Sequence, residues 1–131
     1  MEPTWEWATD GKDKPMKVVM ISRWDGVHPG AAKSMAEYAA TAAVFWQRMK
    51  NNGTIESRQE YAPMQHQGGL NVTVFPDVQR FNDLLADREW MELYTAAGLL
   101  LEGYGWENYV PQDELPDGFM TWWFEKAVAV G

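Results

Sequence analysis

The chain has 131 residues, 46% of them hydrophobic and 23% charged, with eight Trp, eight Met and no Cys. That is the size and mix of one globular domain able to bury roughly two-thirds of its unfolded surface, and it excludes a disulfide framework, a thiol nucleophile and a thiolate metal site. The net charge of −8 sits in the second part, since residues 1–80 hold nine acids and nine bases while residues 81–131 hold ten acids against Arg88 and Lys126; that field argues against nucleic acid as a partner.

Residues 1–15 are polar and acidic with no signal-like stretch, and no apolar run approaches the roughly 20 residues of a membrane span, so a soluble, cytoplasmic protein is expected. We set 1–15 apart as an N-terminal extension, 16–110 as the folded domain and 111–131 as a C-terminal tail. The acidic second part reads as a solvated face or as a docking surface for a basic protein partner.

Residues 16–24 (MKVVMISRW) predict a strand with Val18, Met20 and Trp24 on one side and Val19 and Ile21 on the other; apolar character on both faces makes it central. The breaker-rich turn 25–30 follows. A helix is predicted over 31–50, where Ala32, Met35, Ala39, Ala42, Trp46 and Met49 recur at helical spacing, ending at Asn51-Asn52-Gly53. Residues 54–61 alternate polar Thr54, Glu56, Arg58 and Glu60 with Ile55, Ser57, Gln59 and Tyr61, the pattern of an edge strand. After a loop through Pro63, His66 and Gly68-Gly69, residues 70–75 form a strand with Leu70, Val72 and Val74 on one face and Asn71, Thr73 and Phe75 on the other. Asp77 is a helix N-cap, and the helix it opens runs, bent near Asp87, to Gly98. Residues 99–109 predict the last core strand, with a bulge or close approach at Gly103 and Gly105. Asp117 caps a C-terminal helix over 119–129.

Two strand–helix–strand halves with right-handed crossovers make an α+β, ferredoxin-like βαββαβ sandwich: an antiparallel sheet with two helices on one face. The other face carries enough apolar residues to need a cover. A second copy of the sheet is the expected one, giving a homodimer and a dimeric α/β barrel. Trp5, Trp7, Trp122, Trp123 and Phe124 are too apolar to hang in water, so both tails are expected to pack on the body or on the partner.

The run SRWDGVHPG before an alanine-rich helix, then GGLNVTVF, then AAGLLLEGYGWENYV, resembles small bacterial proteins of the dimeric α/β-barrel superfamily. That superfamily also holds the YCII-like, stress-responsive barrel and antibiotic-biosynthesis monooxygenase-like families. The resemblance implies a homodimer with a pocket between sheet and helices. It also implies a range of roles, from cofactor-independent oxygenases and polyketide cyclases to haem-binding proteins and proteins of no known activity. The Trp-rich extension departs from the usual pattern and is placed to plug or line such a pocket.

The first two strands of the sandwich run the same way, so the turn bearing Asp25 and His28 and the hairpin bearing Tyr61 and His66 emerge at one rim. A neutral imidazole of His28 or His66 reaching into a pocket can take a proton from an acidic carbon or phenol, with Tyr61 or Arg58 steadying the anion formed. The plainer alternative is that both are solvated loop histidines. Arg23, Trp24, Asp25, Trp46, Arg58, Phe75, Tyr104 and Trp106 are candidate ligand-binding residues, the aromatics doubling as core candidates. His28, His66 and Asp25 could together ligate a metal, but no HxxxH or HxH spacing supports it, and neither histidine sits where an axial haem ligand is expected; no metal and no cofactor are predicted. Walker, GxGxxG, GxSxG and HExxH signatures are absent. Two functions stand: a pocket for a hydrophobic aromatic small molecule, as a binding protein or a cofactor-independent oxygenase or cyclase-like enzyme, or a non-catalytic accessory subunit that binds a protein through its acidic half and aromatic tails.

Overall fold

The computed structural model describes residues 16–111, 113, 125 and 126. Trp5, Trp7, Trp122, Trp123 and Phe124 lie outside them, as does the helix expected over 119–129 except for residues 125 and 126, which are helical. The elements are β1 (Val18–Trp24), β2 (Gly26–Val27), α1 (Ala32–Asn51), β3 (Ser57–Tyr61), β4 (Gly69–Phe75), α2 (Val78–Leu85), α3 (Arg88–Leu100), β5 (Leu101–Glu102) and β6 (Gly105–Tyr109). β3, β4, β1 and β6 form an antiparallel sheet in that order, the strand order of the ferredoxin-like sandwich, and β2 pairs with β5 in a separate two-residue ladder. Among the described residues no helix is long and apolar enough to cross a membrane.

Strand alternation sorts the sheet into two faces. Val18, Met20, Asn71, Thr73 and Phe75 are buried, while Val19, Ile21, Leu70, Val72 and Val74, one residue out of phase, are only half-buried. The helices supply the other half of the core: Phe45 and Met49 from α1, Phe81 and Leu84 from α2, Trp90 and Leu93 from α3. Phe81 meets Phe75 edge to face at 5.3 Å, a geometry that aligns ring edge with ring face.

The expected single bent helix after Pro76 is two helices, each with its own cap. Asp77 Oδ1 accepts from the Arg80 N–H at 2.8 Å and Asp87 Oδ1 from the Trp90 N–H at 3.0 Å. An Asp that satisfies an orphan N–H starts a helix, so the second Asp restarts the chain in a new direction. Asp77→Ala and Asp87→Ala should each cost about 1 kcal/mol, read as a lower urea midpoint at unchanged slope. The second helix also runs past Gly98 to Leu100, and the expected long strand is two short ones separated by a turn at Gly103, whose φ is +65°. A Cβ at Gly103 would lie 2.2 Å from Asp25 Oδ2. The turn after β1 is thereby tied to the end of α3, reinforced by the Asp25 N–H to Glu102 O bond at 2.7 Å and the His28 N–H to Leu100 O bond at 3.0 Å.

Candidate functional site

Between α1, α3 and the helix-side face of the sheet lies a cavity of about 820 Å³. Small residues open it: Ala39, Ala42 and Ala43 of α1 face it, where larger side chains would close the gap. At one end Trp24 lies against Gly68 and Gly69. A Cβ on Gly69 would fall 2.2 Å from the Trp24 ring, so glycine is what lets the indole lie on the backbone there.

The polar centre is Arg58. Cross-strand register pairs it with Thr73, whose side chain faces the helices, so Arg58 faces inward as well. Its Nη1 donates to Thr73 Oγ1 at 2.9 Å, and its guanidinium carbon stands 4.2 Å from the Trp46 ring centroid, a cation–π arrangement. With the Asn71 amide turned so that both its atoms are satisfied, its oxygen accepts from Arg58 Nη2 at 2.8 Å and its nitrogen donates to Leu70 O at 3.2 Å. Burial lowers the Arg58 pKa, against the opposing pull of Glu60. Burial also raises Tyr38, with Arg58 pulling the other way, and pushes Tyr104 up to about 12. Both phenols are therefore neutral hydrogen-bond donors at neutral pH.

The structure brings Trp24, Trp46, Arg58, Tyr61 and Tyr104 together around the cavity. The other candidates lie elsewhere. His28 and His66 are exposed and neither lines the cavity. His66 Nδ1 lies 3.0 Å from the Gly68 nitrogen and 3.1 Å from the Asp25 carbonyl oxygen. Arg23 projects from the opposite face, paired with Glu107 at 3.0 Å. Asp25 packs against Gly103 at the turn. Phe75 is fully buried core, and Trp106 supports Trp90 and Tyr94 from behind, with ring centroids at 5.8 and 6.0 Å. Among the described residues no three His, Asp or Glu side chains gather to hold a metal ion.

Tyr38, Tyr94, Ser22, Asn71 and Thr73 were not among the candidates. Their signal was polarity in the wrong place: Asn71 and Thr73 share a strand face with Phe75, and Tyr38 sits four residues before Ala42 on the alanine stripe of α1.

Solved structures share this fold. SnoaB, a cofactor-independent oxygenase from Streptomyces nogalater, superposes with a TM-score of 0.57 at 19% identity, over 74% of this chain and 94% of that one. The hydroxynitrile lyase of Passiflora edulis gives 0.60 at 13% identity, over 78% and 99%, and Rv0793 from Mycobacterium tuberculosis 0.59 at 15%, over 75% and 97%. The shared fold is the ferredoxin-like α+β sandwich. At these identities the likeness is one of fold alone. No protein-family model matches the sequence, and no curated protein matches it.

Proposed function

We propose that this protein binds a hydrophobic aromatic small molecule in the cavity between sheet and helices and acts on it as a cofactor-independent oxygenase. The observation that carries the proposal is the cavity: its volume of about 820 Å³ falls within the roughly 300–1,000 Å³ of small-molecule sites. Trp24, Trp46, Trp90 and four tyrosines line it together with polar and charged side chains, Arg58 and Asn71 among them. Among the described residues Trp24, Trp46 and Trp90 line the cavity and do not fill it, which favours a pocket over the accessory-subunit reading. The oxygenase half is drawn from SnoaB by analogy of fold, and neither histidine is assigned a part in it.

Calorimetric titration with a dihydroxynaphthalene tests the binding half. Ala39 lines the cavity from the exposed flank of α1, so Ala39→Trp should fill it without crowding the core. The expected result is binding to the parent protein and a loss of about ten-fold or more in the variant, with the melting temperature unchanged. Equal binding to both would remove the ligand from this cavity. Oxygen uptake that requires both protein and probe in chelator-treated buffer is the expected sign of the oxygenase half; uptake no faster than the protein-free control defeats it.

The proposal includes a homodimer through the sheet face away from the helices. Val19, Ile21, Leu70, Val72 and Val74 form a contiguous apolar strip there, of the kind that marks an interface. Val72→Lys is expected to shift the sedimenting species from two protomers to one. A parent protein that already sediments as a single protomer rules the dimer out.

A further inference from the structure

We infer that the ligand of this cavity carries an anionic oxygen on its aromatic framework, as a carboxylate or an ionised enol or phenol, and that Arg58 selects for it. The inference rests on reading the cavity as a small-molecule site and goes beyond it by fixing the ligand's charge.

A guanidinium taken from water needs compensation. The Arg58 side chain is 15% exposed, yet its inward partners are all neutral: the Thr73 hydroxyl, the Asn71 amide oxygen and the Trp46 ring. The carboxylate beside it is that of Glu60, whose Oε1 is 3.9 Å from Arg58 Nε and whose side chain is 75% exposed. At that separation the pair is not hydrogen-bonded, and solvent screens a carboxylate so exposed. Arg58 Nε is buried without a hydrogen-bond partner. Arginine carries five N–H donors and does not give up its charge in a protein, so donor capacity and positive charge are both left over at this point.

The surroundings have the same sign. Among the described residues of the cavity wall Lys50 and Arg58 stand against Glu60 alone, in a chain whose net charge is −8. Tyr38 and Tyr104 add neutral hydroxyls that donate to an anion and do not repel it. A purely structural role explains this poorly, because an apolar side chain of similar length fills such a place at no desolvation cost. Thr73 and Asn71, polar residues on the buried sheet face, hold the guanidinium in place; they position it and do not neutralise it.

The test pairs ligands that differ only in charge. Naphthoate and its neutral isostere naphthamide are titrated calorimetrically into the parent protein, Arg58→Gln and Arg58→Lys. A parallel pair, hydroxynaphthoquinone and its neutral methyl ether, does the same for an enolate. The parent is expected to prefer the anion of at least one pair by about ten-fold or more, and the pair with the larger preference names the anion class. Arg58→Gln should abolish that preference while keeping the affinity for the neutral member, and Arg58→Lys should retain part of it. Equal affinities within both pairs for the parent overturn the inference and leave the aromatic pocket standing, as does a preference that survives in Arg58→Gln. Should Arg58→Gln lose its cooperative melting transition, the parent and Arg58→Lys decide: a preference equal in the two overturns the inference, and one reduced in Arg58→Lys supports it. If no member of either pair binds, the pocket reading falls with it.

Discussion

Phe75→Ala is expected to lower the free energy of unfolding by about 3–5 kcal/mol, a large share of the roughly 5–15 kcal/mol that holds a domain together. Phe75 is the last residue of β4, its ring is 0% exposed, and it meets Phe81 of α2 edge to face. Truncation loses the transfer energy of the ring and opens a void between sheet and helix. Met20, Phe45 and Leu84, also buried almost completely, are held by their own elements and cannot close it. Urea unfolding measures the loss, and a chain already unfolded in buffer is its extreme form. The milder Phe75→Leu separates core from binding site: it should cost about 1 kcal/mol and leave the affinity for an aromatic probe unchanged. A selective loss of affinity in Phe75→Leu would return Phe75 to the binding site, where its aromatic character had placed it as a candidate.

The element order was legible because each signal is local: alternation in β1 and β4, the alanine stripe of α1, the cap at Asp77. Where the reading departed from the structure, a second local signal had been passed over. Asp87 is as good a cap as Asp77, and two caps ten residues apart make two helices. The site was harder to see. The histidines drew attention because imidazole chemistry is versatile, but topology brings them only to a rim, and the cavity opens where α1 is lined with alanine. Arg58 is a candidate ligand-binding residue from the sequence, although the alternation of 54–61 puts it among the charges of an edge strand. Its inward direction follows from register with Thr73, and register is a pairing between strands that no single segment encodes. Leu70, Val72 and Val74 form the more apolar face of β4, yet the face covered by helices carries Asn71 and Thr73. Polar residues on a buried face break the hydrophobic pattern, and here Asn71 lines the cavity while Thr73 holds Arg58 beside it.

Raising the pH from 10 to about 12 should destabilise the protein more than its Tyr104→Phe variant. Burial, helped by the neighbouring Tyr38, pushes the Tyr104 hydroxyl from 10.0 up to about 12, with Arg58 and a hydrogen bond to Ser22 pulling the other way. In that window the unfolded chain has released the phenolic proton and the folded chain keeps it. The folded state then binds more protons, and stability falls as pH rises. The contribution is complete below pH 10 and is lost as pH climbs through the folded-state value. A displacement of this size corresponds to about 2–3 kcal/mol at the alkaline end. Urea midpoints across the alkaline range should fall steeply for the parent and less steeply for Tyr104→Phe, and tyrosinate absorbance should show one fewer late-titrating phenol in Tyr104→Phe than in the parent. Parallel slopes would mean that the hydroxyl is solvated in both states. Such a hydroxyl could not serve as the dry, neutral donor beside Arg58, so the alkaline titration also tests whether the cavity excludes water well enough for the guanidinium to act on an anion at full strength.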